Sequence, residues 1–147
     1  MFNDEELTLN RVPYTGNELR TDGYYYYHWA TFDSPSVNST SVKFFYKNGV
    51  MLSAHSYDGI DLNRVEKEMV SLYDKIRERK TGWGLFIING NTIQCEEWST
   101  SVGGGLPVYK WSAKIENSTT FRHNDSNQTW HFKQFNNKPD STNVFIK

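Results

Sequence analysis

The chain has one cysteine, Cys95, so an internal disulfide is excluded. Cys95 falls in a strand-like run and reads as a small buried hydrophobe. No apolar stretch is long enough to cross a bilayer as a helix. Neither charge is in excess, with 16 Lys and Arg against 17 Asp and Glu. A general attraction to nucleic acid or to an anionic membrane surface is therefore not expected. There is no internal repeat. Ser99, Ser101 and Ser112 stand in no nucleophile-elbow context, and Gly103 to Gly105 lack the spacing that cradles phosphate. The four histidines, His28, His55, His123 and His131, show no zinc spacing. Neighbouring strands could bring His123 and His131 together, but no third ligand is evident. No catalytic residue, metal site or cofactor is expected.

Aromatic residues, by contrast, are abundant at 16% of 147 residues, which suits one domain with a sizeable core. Residues 1–17 read as a polar leader, with a short strand at Leu7–Leu9. The domain proper spans 18–147. A long aromatic strand is expected over Gly23–Phe32, followed by the loop-like "DSPSVNSTS". In "VKFFYKNGVMLSAHSY" a three-residue loop at Lys47, Asn48 and Gly49 pairs Tyr46 with Val50, Phe44 with Leu52 and Val42 with Ala54. That register puts six apolar residues on one face.

The one helix is expected over 61–80, with Asp61 as its N-cap. Val65, Met69, Leu72 and Ile76 form its apolar stripe, widened by Leu62 and Tyr73. Gly82 serves as a stop signal. Strands then return. "WGLFIINGNTIQCEEWS" reads as a hairpin around Asn89-Gly90 whose inner face is ambiguous, because both faces of 85–88 are apolar. "VYKWSAKI" alternates, placing Tyr109, Trp111, Ala113 and Ile115 on one face. "STTFRH" and "QTWHFKQF" form a further hairpin, and "TNVFIK" a short terminal strand. The sum is a mainly β, antiparallel up-and-down barrel of eight or nine strands, with one helix inserted after the third.

Four consecutive tyrosines, Tyr24 to Tyr27, sharpen the question of faces. Tyr25, Tyr27 and Trp29 share one side of a strand, and Tyr24, Tyr26, His28 and Phe32 the other. A strand covered on both sides, by the core on one and by the helix or leader on the other, accounts for the run. A stacking platform for sugars, aromatic ligands or bases is the functional alternative. Glu96 and Glu97 are adjacent and must point oppositely. Glu97, if inward, would be a buried carboxylate. A glycosidase would need a facing partner carboxylate, and none is evident. Asn38, Asn117, Asn124 and Asn127 begin Asn-x-Ser/Thr sequons and read as turn residues.

"LRTDGYYY", the inserted helix, "WGLFIINGNTIQCEEW" and "FKQFNNKPDS" together resemble small, mostly uncharacterised lipoproteins of Bacteroidota with calycin-like (lipocalin-like) β-barrels. Gly23, Tyr24 and Tyr25 stand where lipocalins carry Gly-x-Trp, with Tyr in place of Trp. The resemblance implies a lipid-anchored cell-envelope protein if a signal peptide has been trimmed. If Met1 is the native start, the acidic opening "MFNDEELTLN" implies a cytoplasmic one.

The function expected is a non-enzymatic carrier that binds a small amphipathic ligand or a protein partner at one end, as a monomer. Its cavity would be lined by Tyr25, Tyr27, Trp29, Phe44, Tyr46, Tyr109, Trp111, Trp130 and Phe132. The alternative is an envelope structural or interaction module whose barrel is filled by its own side chains.

Overall fold

The computed structural model describes residues 3–30, 38–101 and 103–147, and of Ala30, His55 and Ser56 the backbone alone. Eight antiparallel strands close into a barrel in chain order. They are β1 (Gly23–Ala30), β2 (Asn38–Phe45), β3 (Val50–Asp58), β4 (Trp83–Asn89), β5 (Thr92–Trp98), β6 (Val108–Asn117), β7 (Thr120–His123) and β8 (Thr129–Gln134). Closure comes from β1 against β8, from Gly23↔Gln134 to Tyr26↔His131, so that every strand has a neighbour on both sides. Gly23 sits at that seam because a Cβ there would lie 2.0 Å from the Lys133 carbonyl oxygen.

The β2–β3 hairpin has the expected register. Val42 faces Ala54, Phe44 faces Leu52, and the Tyr46 N–H donates to the Val50 carbonyl at 2.9 Å. Gly49 holds the left-handed position at φ +90°. The β4–β5 turn uses Gly90 and Asn91, with Asn89 opposite Thr92. The β7–β8 hairpin pairs Phe121 with Trp130.

The apolar residues divide into two layers. Every strand sends alternate side chains into the barrel: Tyr25, Phe45, Met51, Phe86, Ile93, Cys95, Trp111, Ala113, Ile115, Phe121 and Trp130 are packed there. The opposite faces of β1 to β5 carry a second core of Tyr24, Val42, Phe44, Leu52, Trp83 and Leu85 beneath the helical insertion. This explains why both faces of 85–88 are apolar: Phe86 and Ile88 look inward, while Leu85 belongs to the outer layer.

The insertion is two helices, α1 (Leu62–Ser71) and α2 (Tyr73–Glu78), where the periodicity predicts one. The Asp61 side chain caps α1 by accepting from the Asn63 N–H at 3.0 Å. Val65, Met69 and Ile76 are the buried stripe. The Trp83 indole donates to the Ile76 carbonyl at 2.9 Å, adding to the long bond of 3.3 Å that this carbonyl accepts from the Arg79 N–H at the end of α2.

The leader is irregular at 7–9, where a strand is expected, yet it is firmly held. Glu96, facing outward, accepts from the Thr8 N–H at 2.6 Å, the Leu9 N–H at 3.2 Å and the Thr8 hydroxyl. Burial alone would raise this carboxyl, but those hydrogen bonds outweigh it and hold it below its ordinary value. Residues 142–147, read as a strand, also form none: the tail lies over the outer layer with Phe145 and Ile146 packed on it. The loop read over 33–41 ends earlier, since β2 begins at Asn38 and Thr40 is buried, its hydroxyl donating to the Gly59 carbonyl at 2.8 Å and so accepting from His28 Nδ1 at 2.7 Å. Phe32 and the rest of that loop fall outside the described residues.

Candidate functional site

The two ends of the barrel differ. At one end residues 14–22 form a plug. Leu19 is only 3% exposed, Tyr14 packs edge-on against Phe86, and the Tyr25 hydroxyl donates to the carbonyls of Arg20 and Ser118 at 2.9 and 3.1 Å. The Arg20 guanidinium lies 4.6 Å over the Phe132 ring.

At the other end the described residues leave an opening. It forms a cup of about 540 Å³ lined by the ends of β1, β2, β3, β5 and β6 and by the β7–β8 turn. The opening follows from the topology. Strands β3 and β4 pair only through Val50↔Leu85, Met51↔Gly84 and Leu52↔Trp83 before the helical insertion separates them. Gly82 bridges the gap. Its carbonyl accepts from the Ser53 N–H and its N–H donates to the Trp98 carbonyl, both at 2.8 Å. It does so at φ +95°, where a Cβ would lie 2.2 Å from the Ser53 carbonyl oxygen, so only glycine fits without strain.

The floor of the cup is polar and charged. Lys43 and Glu97 point inward and are 8% and 9% exposed. The Lys43 ammonium donates to the Ser53 hydroxyl at 2.8 Å and stands 3.7 Å from the Glu97 carboxylate. It also lies 4.7 Å over the Trp111 ring and 5.0 Å over the Trp130 ring. Glu97 Oε2 accepts from the Ser53 hydroxyl at 2.7 Å and the Trp111 indole at 3.2 Å. Among the described residues no hydrogen bond reaches Glu97 Oε1. The lysine is thus caged by one carboxylate and two indole faces, an arrangement in which each contact offsets part of its desolvation.

The wall adds a stack of rings. His123 lies 5.1 Å from Trp111 at an interplanar angle of 17°, and 6.4 Å from Tyr109 at 7°. Its Nδ1 accepts from the N–H groups of Asp125 and Ser126 at 3.3 and 3.4 Å. That leaves the proton on Nε2, which meets the Tyr109 hydroxyl at 3.2 Å. Burial, with the Lys43 charge second, pushes His123 below its ordinary value, so the ring is neutral near pH 7. At the rim Trp29 and Tyr109 are each 42% exposed, and the Trp29 indole donates to the Ser41 hydroxyl at 2.8 Å.

Of the aromatic residues singled out from the sequence, Trp29, Tyr109 and Trp130 line the cup, and Trp111 forms its floor with Lys43. Tyr25, Tyr27 and Phe132 also face inward, but they fill the barrel below the cup. Phe44 and Tyr46 do not line the cavity. Both belong to the outer layer, where Phe44 packs against Tyr24 and the Tyr46 hydroxyl donates to the Pro139 carbonyl at 2.8 Å. The apolar face of the β2–β3 hairpin is the one under the helix, and the inner face is Lys43, Phe45, Met51 and Ser53. His123 and His131 do not converge: His123 faces inward, while His131 lies outside beside Tyr26.

Sequence reasoning missed Lys43, Ser53 and His123 as site residues. The available signal was the doublet Phe44–Phe45, which requires apolar surroundings on both faces and so permits Lys43 to be inside.

Compared with protein families, with curated proteins and with solved structures, the chain gives no match. The fold itself, a closed eight-stranded antiparallel barrel, is consistent with a calycin-like architecture.

Proposed function

We propose that this is a non-enzymatic β-barrel protein that binds a small ligand in the cup at its open end. The observation that carries the reading is the asymmetry of the barrel. One end is plugged and its interior filled by aromatic side chains, and the hollow of about 640 Å³ there is lined by the plug's own residues 14–22 and Lys47, while the cup at the other end reaches inward-facing residues of the strands and carries exposed rings at its rim. The ligand is amphipathic in a facial sense, one side resting on rings and its edges reaching polar groups. A long apolar chain is disfavoured, because Phe45, Phe121 and Trp111 occupy the space below Lys43.

Catalysis is a weaker reading of the same residues. Ser53 lies between Lys43 and Glu97, but a lysine acting as base must be neutral, whereas this one is ion-paired and covered by two rings. The alternative of an interaction module draws support from the filled lower barrel. It requires a contiguous exposed apolar patch; among the described residues the other large exposed apolar side chains are Val12, Ile60, Val70 and Val144, and Val12 lies in the leader that bonds to the tail through Arg11 and Lys147. Attachment to the cell envelope through a lipid anchor rests on the resemblance to Bacteroidota lipoproteins and is tested by fractionation of the native cells.

The functional test is native mass spectrometry of the protein purified from its own cell extract, with tryptophan fluorescence as readout. A retained small molecule, lost in Trp29→Ala with the fold intact, supports binding at the cup. An empty protein whose fluorescence responds to no retained fraction supports the interaction module instead.

A further inference from the structure

The reading of the cup as a ligand site leaves the ligand class open, and the chemistry of its lining narrows it. We infer that the ligand is a neutral saccharide, an inference that rests on the proposed binding role. Four features converge on that class.

Charge is the first. The lysine lining the cup, Lys43, is neutralised by Glu97 at 3.7 Å and covered by Trp111 and Trp130. Its positive charge is already spent, so a carboxylate or phosphate finds no uncompensated cation. The same cage weighs against the opposite class. An ammonium ligand would seek a carboxylate set between rings, and Lys43 already fills that place between Glu97, Trp111 and Trp130, which leaves Asp125 as the other carboxylate of the lining.

Depth is the second. The rings packed beneath the floor close the barrel to an acyl chain. Rim geometry is the third. Trp29 from β1 and Tyr109 from β6 both line the cup and are each 42% exposed. The C–H face of a pyranose is apolar and stacks on such rings, while its hydroxyls project from the edge.

The fourth feature is the polar inventory. Ser99, Thr100, Asp125, Ser126 and Gln128 join Ser53 in the lining. They mix donors and acceptors, which suits groups that both donate and accept, as sugar hydroxyls do. Glu97 Oε1, unbonded among the described residues, is the strongest acceptor on the floor.

The experiment is saturation-transfer NMR on the whole chain, with a panel of neutral mono- and disaccharides (glucose, galactose, mannose, N-acetylglucosamine and cellobiose) and with laurate and choline as comparators. Wild type is expected to transfer saturation to the ring C–H protons of at least one sugar. Trp29→Ala and Tyr109→Ala are each expected to weaken binding by about tenfold, and Val144→Ala, on the tail, to leave it unchanged. Circular dichroism checks that each variant is folded. Binding of laurate or choline at the cup, without any sugar, overturns the saccharide inference and leaves the binding role standing. Sugar binding that survives both rim substitutions overturns the placement. No binding of any probe, together with no molecule retained in native mass spectrometry, overturns both readings.

Discussion

Removing one member of the Lys43–Glu97 pair should destabilise the barrel far more than removing both would suggest. The pair is buried, with side chains 11% exposed on each partner. At an effective dielectric constant near 20, two unit charges 3.7 Å apart attract by about 4.5 kcal/mol. Desolvation of both ions offsets much of that. Lys43→Met leaves Glu97 buried but still bonded to Ser53 and Trp111, so the cost should fall near the low end of the range for broken buried pairs, about 3 kcal/mol. Glu97→Gln retains an acceptor for the same two donors and strands the ammonium between two indoles, at a similar cost of about 3 kcal/mol. The double variant carries no stranded charge and should cost about 1 kcal/mol or less, a coupling of about 5 kcal/mol, close to the Coulomb attraction.

Urea unfolding followed by tryptophan fluorescence reads these values directly. The single substitutions should also lower the melting temperature by about 6–12 °C. Salt provides an internal contrast. The exposed Arg20–Asp22 pair, with side chains 42% and 52% exposed, should contribute less than about 1 kcal/mol and fade with added salt. The Lys43–Glu97 coupling should persist. Additive effects to within about 0.5 kcal/mol in the cycle would refute the reasoning and remove Lys43 from the interior.

Other consequences follow from individual contacts. His123 and His28 are both held below the ordinary value of 6.5, chiefly by burial. The unfolded chain therefore binds their protons first, and stability should fall as pH drops through 6.5 toward the folded values; melts at stepped pH should show this, with a shallower slope in His123→Gln. Gly82→Ala should cost about 1–3 kcal/mol, measured by urea unfolding, and should disturb the ladder beside the cup, seen as amide shifts at Ser53 and Trp98. Glu96→Ala removes the acceptor for Thr8 and Leu9, so limited proteolysis should cut residues 3–17 faster while the barrel stays resistant. Cys95, buried and with its thiol pushed up by that burial, should react with a thiol reagent only as fast as the protein opens.

The architecture was legible where local rules and global structure agree. Alternation in "VYKWSAKI" and the three-residue turn at Gly49 place β6 and the β2–β3 register because each is settled by side-chain period or turn chemistry. The face assignment of Phe44 and Tyr46 failed for a physical reason. A barrel wall covered by a helix is apolar on both sides, and period two then fixes which residues share a face but not which face is inside. The tyrosine run resolves the same way. Tyr25 is inside, Tyr24 lies under α1 with its hydroxyl donating to Glu66 at 2.6 Å, and exposure grows toward Trp29 at the open end. The tail at 142–147 looks strand-like by composition, but its apolar side chains, Phe145 and Ile146, are taken up by packing on the outer layer.

The cup depends on contacts that no local pattern encodes. Lys43 and Glu97 lie 54 positions apart in the chain and are brought together only by the closing of β2 and β3 toward β5 across Gly82. Their presence in an otherwise aromatic interior is the clearest departure of this sequence from what stability alone would select. Replacing a buried ion pair by apolar residues of similar volume is often neutral or stabilising by about 1–4 kcal/mol. Departures of this kind are expected where a site is kept at some expense to the fold. A Lys43→Met/Glu97→Leu barrel more stable than the wild type would show that the polar floor is not there for folding. If that same barrel also lost its ligand, the floor would be assigned to recognition. A less stable barrel that still bound ligand would make the pair a structural clasp across the β3–β4 gap, with recognition left to the rings at the rim.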